Sequence, residues 1–131
     1  MKVWKVTPKL LRGYDLTVMT KYLDLISAYE VDVRFPDVSG LEHLDMLRMR
    51  SEIAGYEAKL TAEARVRLLE ADKTLLRQVR HFYKAIHEIA DLTAWRREED
   101  IPITHWWWYL DVLAQLPELP AAELVPQGVV G

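Results

Sequence analysis

The sequence predicts a mostly α fold, an irregular bundle of three or four helices with one long central helix. Three observations predict it. Apolar residues recur every seven positions through residues 68–89, and three apolar positions per heptad is what a bundle helix presents. Two further segments carry apolar stripes at three- and four-residue spacing. Capping residues stand at the expected helix starts.

The first main helix is expected from Asp15, as N-cap, to about Tyr29. Leu16, Met19, Leu23 and Ile26 form one stripe, and Val18, Tyr22, Leu25 and Tyr29 a second. Before it, Thr7-Pro8 reads as the start of a short helical turn that ends at Gly13. Lys2–Val6 and Val31–Phe35 alternate loosely, which allows two short N-terminal strands, near Val3 and Val33.

Ser39, with Glu42 three residues on, is a capping-box signature for the second helix. Met46, Met49, Ile53, Tyr56 and Leu60 form its apolar stripe. Gly55 within it costs up to about 1 kcal/mol relative to Ala, which suggests close approach of another backbone. Thr61 caps the next helix, so a tight hairpin is expected rather than one continuous rod.

The third helix is expected to run from Ala62 to Glu98. Leu68, Leu75, Phe82 and Ile89 repeat by sevens, Val79 and Ile86 fill intervening positions, and Asp72 interrupts the seam. Such a helix would be about 55 Å long at 1.5 Å per residue. A domain of this size is only about 36 Å across, so a straight helix would protrude: either it bends, or its end, with Trp95, packs on another copy or another protein. A last helix is expected from Thr104 to Leu116. The predicted core is Met19, Leu23, Ile26, Ile53, Leu75, Val79, Phe82, Ile86 and Ile89. Residues 1–116 then form one helical domain and 117–131, rich in Pro and Gly, a mobile tail.

Composition narrows the function classes. The 131 residues are 50% hydrophobic and 28% charged, with no cysteine and a net charge of −3. Disulfide scaffolds and cysteine-ligated metal sites are excluded. The longest apolar run is Trp106–Leu110, far below the roughly 18 residues of a membrane span. With no signal-peptide pattern the expected location is cytoplasmic. Residues 1–13 hold four basic and no acidic side chains, whereas residues 99–131 hold five acidic and no basic ones. Ends of opposite sign invite contact within one chain or between subunits. Lys2 and Lys5 around Trp4 are expected to lie across the bundle against the acidic C-terminal third.

The aromatic run carries the leading functional expectation. Three consecutive Trp on a helix fan over about 200°, too wide for one buried stripe. Trp107, sharing its side with Asp111 and Ala114, reads as facing outward, and exposed aromatics make binding hot spots; the alternative is a short helix embedded between the bundle and a loop, with all three rings buried. Trp95, Trp106, Trp107, Trp108 and Tyr109 are therefore the expected interface of a non-enzymatic interaction or self-association module. Its partner would be a second copy or another protein, with nucleic acid and membrane not expected.

The alternative is a helical nuclease or nucleic-acid-associated protein using Arg80, His81 and His87. Arg80 and His87, seven apart, are similar in spacing to the Arg–His pairs of helical ribonucleases of the HEPN type. By counting, ten Arg and four His give about one such pair by chance, so no catalytic role is carried over. A further alternative is a bundle with an aromatic small-molecule pocket. His43 is placed near the charged side of the second helix. The histidine spacings predict no metal site, the three serines lack a nucleophile-elbow context, and no cofactor is expected.

Overall fold

The computed structural model describes the backbone of residues 7–117 and the side chains from Leu16 to Pro117. Over these residues the chain is an all-α bundle with no strand. Its helices are α1 (Thr7–Asp32), α2 (Gly40–Ala54), α3 (Ala62–Arg77), α4 (Val79–His87), α5 (Leu92–Glu98) and α6 (Leu110–Leu113), with short 3-10 turns at Glu57–Lys59 and Trp106–Trp108. The expected strand near Val3 and residues 118–131 of the expected tail lie outside the described residues.

α1 starts at Thr7 as one continuous helix, not as a turn closed at Gly13 and a helix capped by Asp15. Glycine weakens a helix without breaking it, and no described glycine has positive φ. Tyr22, Ile26, Tyr29 and Val33 are buried along one stripe of this helix. Val33 is thus not in a strand. It follows Tyr29 by one turn, bonds its N–H to the Tyr29 carbonyl at 3.0 Å, and closes α1. Pro36 has no N–H to continue the ladder.

Ser39 caps α2 by accepting the Glu42 N–H at 3.2 Å, and its hydroxyl donates to the Glu42 carboxylate at 3.2 Å. Gly40 is buried because a Cβ there would overlap the Ala85 carbonyl of α4. Gly55 ends α2 instead of lying within it, and a Cβ there would come near only the Glu52 carbonyl, at 3.2 Å. Close backbone approach therefore belongs to Gly40, not Gly55. The hairpin into α3 is as expected, with Thr61 accepting from the Ala64 N–H at 3.1 Å.

The long third helix does not exist as one rod. It bends at Gln78, whose φ and ψ are −110° and 19°, and breaks again before Asp91. Asp91 starts α5 by accepting the N–H groups of Thr93 and Ala94. The heptad stripe survives the first break, since Leu68, Leu75 and Phe82 are all buried. Within the second break, after α4 ends at His87, Ile89, expected in the core, is 54% exposed. The expected helix to Leu116 is likewise replaced by the Trp106–Trp108 turn and the four residues of α6.

α1 packs on α2 and α3, α2 on α4, and α4 on α6. The core joins all of them, with Ile26, Met46, Leu47, Ile53, Leu75, Phe82, Ile86 and Leu110 at its centre. Met19, Leu23 and Val79 pack at its margin.

Candidate functional site

Two polar assemblies sit inside the bundle, and one cleft opens on its surface. The first assembly explains the odd Asp72. Its carboxylate takes a bidentate pair from Arg50, with Nε to Oδ1 at 2.9 Å and Nη2 to Oδ2 at 3.0 Å. The Tyr29 hydroxyl donates to Oδ1 at 2.6 Å. α1, α2 and α3 are thereby tied at one point. Burial, then the charge of Asp72, holds the Tyr29 hydroxyl well above its ordinary pKa of 10.0. The Arg50 guanidinium lies 4.0 Å from the Trp107 ring centroid. Its Nη1 is buried without a hydrogen-bond partner, and the ring face offsets part of the cost of burying the guanidinium charge. A buried charge needs such partners. The interruption of the seam at Asp72 was the sequence signal for them, but nothing in the spacing identified Arg50.

The second assembly centres on Ser51. Its Oγ accepts the indole N–H of Trp107 at 2.9 Å and of Trp108 at 2.8 Å. Its hydroxyl donates to Nδ1 of His105 at 3.0 Å. That uses the one donor and both lone pairs of the hydroxyl. Burial and then the nearby Arg50 charge lower the His105 pKa, which favours the neutral ring. His105 also stacks on Trp107, with ring centroids 4.6 Å apart. A serine beside a histidine invites a nucleophile reading, but an attacking oxygen needs a lone pair, and both are committed.

This arrangement corrects the outward placement of Trp107. Trp107 and Trp108 are only 3% and 2% exposed. The run leaves the bundle surface as a 3-10 turn, so its rings meet neighbours on several sides. Trp95, expected at a protruding tip, instead stacks on Trp108 at 6.0 Å. Trp106 and Tyr109 are half-buried. Trp106 meets Trp107 edge-on, and Tyr109 lies under Arg96 at 4.2 Å. Arg96 pairs with Asp111 at 2.7 Å and donates to the Trp108 carbonyl at 2.8 Å. Of the five residues expected at an interface, two are interior and three keep partial exposure.

Arg80, His81 and His87 meet different parts of the chain. Arg80 donates to the carbonyls of Ala114 and Leu116. His81 lies 3.4 Å from the Asp37 carboxylate. His87 meets the Tyr83 hydroxyl at 3.3 Å. Among the described residues no group of three His, Asp or Glu is placed to hold a metal, and no helix is long and apolar enough to cross a membrane.

The surface cleft was not singled out from the sequence. It is a cavity of about 340 Å³ where the end of α1 meets the start of α2, lined by Asp32, Phe35, Val38, Glu42, His43 and Asp45. The alternating Val31–Phe35 segment, expected as a loop or a short strand, contributes Asp32 at the end of α1 and Phe35 just after the turn that follows it. His43 forms the floor. It is buried, contrary to its expected place on the charged side, and its Nε2–H donates to the Pro36 carbonyl at 3.0 Å. Burial first, then the like charge of Glu42, raises the Asp32 pKa. Asp45 is paired with Arg48 at 3.0 Å. Asp32 and Glu42 meet no cation at ion-pair distance among the described residues. Phe35 at 55% and Val38 at 40% leave apolar side chains in solvent beside these carboxylates, and Leu41 is 60% exposed in the first turn of α2. Ile89 stands next to Gly40.

No protein-family model matches the chain, and neither do curated proteins or solved structures.

Proposed function

We propose that this chain is a non-enzymatic helical interaction module that associates with a second copy of itself. The observation that carries the reading is the exposed apolar pair Phe35 and Val38 lining the acidic cleft, with Leu41 exposed in the first turn of α2 and Ile89 exposed beside Gly40. Clustered exposed apolar side chains rimmed by polar ones mark interaction sites more than single exposed residues do. Trp95, Trp106 and Tyr109 offer a second, smaller contact surface.

Light scattering over a concentration series tests this. A mass that rises toward twice the monomer is expected, with the transition shifted to higher concentration by Phe35→Ser at unchanged helicity. A monomer at every attainable concentration would refute the proposal.

A further inference from the structure

The acidic cleft calls for an occupant that is both cationic and apolar. Two segments of this chain lie outside the described residues, 1–6 and 118–131. The second carries Glu118 and Glu123 and no basic residue, so its charge has the wrong sign. The first is Met-Lys-Val-Trp-Lys-Val, with two lysines, one large aromatic, two valines and no acid. Its composition complements a cleft that presents Asp32 and Glu42 beside Phe35 and Val38.

Distance decides whose segment it is. The cleft lies at the C-terminal end of α1, whereas residues 1–6 join α1 at Thr7. The 26 residues of α1 span about 39 Å at 1.5 Å per residue. Six residues, fully extended, reach about 22 Å at most. The segment therefore falls short of its own cleft by most of the length of a second such segment.

We infer that the Lys2–Val6 segment of one copy docks in the acidic cleft at the α1–α2 junction of another, its lysines meeting Asp32 and Glu42 and its Trp4 meeting Phe35 and Val38. The inference rests on self-association and specifies which surfaces meet. An exchange of this kind is directional, since one copy's segment enters the other copy's cleft. Two copies that trade segments form a closed pair, and copies joined one way only form an open chain.

A charge exchange tests it. One variant carries Lys2→Glu and Lys5→Glu with the cleft intact. The other carries Asp32→Lys and Glu42→Lys with the segment intact. Each alone is expected to associate about tenfold more weakly than the parent at low salt. Mixed in equal amounts they restore association, because each segment now meets a cleft of opposite sign. Restoration also shows that both variants are folded. Carbodiimide coupling of isotopically light and heavy parent protein should join Lys2 or Lys5 of one copy to Asp32 or Glu42 of another. Association that persists unchanged in both variants, with no recovery specific to the mixture, overturns this docking while leaving self-association standing. A parent protein that is monomeric throughout overturns both.

Discussion

Replacing Ser51 with Ala should destabilise this protein strongly for the deletion of a single oxygen atom. The lost oxygen is the shared acceptor of two buried indole N–H groups, at 2.9 and 2.8 Å, and the donor to His105. Leaving a buried donor without a partner costs about 1–3 kcal/mol. Two stranded donors therefore cost about 2–6 kcal/mol, against a total stability of about 5–15 kcal/mol for a domain of this kind. Urea titration followed by tryptophan emission measures the change, with far-ultraviolet dichroism as a second probe. Ser27→Ala is the control, because its hydroxyl bonds only Arg67 at an exposed position, and it should shift stability by no more than about 0.5 kcal/mol. A loss below about 1 kcal/mol in Ser51→Ala would refute the argument that this hydroxyl carries both indoles.

Three further outcomes follow from the geometry. Arg50→Ala strands the Asp72 carboxylate and should cost about 3–5 kcal/mol, while the double change Arg50→Met with Asp72→Leu should recover most of it in chemical denaturation. Gly40→Ala drives a methyl group into the Ala85 carbonyl and should lower stability by about 1–3 kcal/mol through displacement of α2 from α4, read as a lower thermal midpoint. Stability should also fall as pH drops below about 6.5, because His43 and His105 are both held below that ordinary value in the fold, mainly by burial. The unfolded chain then takes up protons first, so the contribution present above 6.5 is lost as pH falls toward the folded pKa values. Midpoints measured between pH 7.5 and 5 should show this, and His105→Asn should flatten the profile. A midpoint that rises on acidification in this range contradicts it.

Much of the bundle was legible because its signals are local. Ser39 and Thr61 are caps whose partners lie three residues away, so their roles follow from spacing. Leu68, Leu75 and Phe82 kept their common face across the bend at Gln78, so heptad counting identified the core side correctly and the helix length wrongly. Periodicity records which side chains share a face, and a short break that preserves phase leaves it intact. Trp107 was misplaced for a different reason. Its burial depends on Ser51, which is 56 positions away, and helical phasing assumed a regular helix where the chain makes a 3-10 turn. The Arg50–Asp72 pair and the cleft at Asp32 and Glu42 are likewise products of which helices meet. The anomaly at Asp72 could be seen in the sequence, but its partner could not.

The division of the expected rod into α3, α4 and α5 has a consequence for how the molecule acquires its order. An isolated helix shorter than about 12–15 residues is marginal in water, and α4, α5 and α6 have 9, 7 and 4 residues. None of them persists without the surface on which it lies. α1, α2 and α3, at 26, 15 and 16 residues, are long enough to supply that surface. The second half of the bundle is thus a lodger on the first. Amide exchange should find its earliest openings in α5 and α6 and its latest where Tyr29, Arg50 and Asp72 fasten the first three helices together.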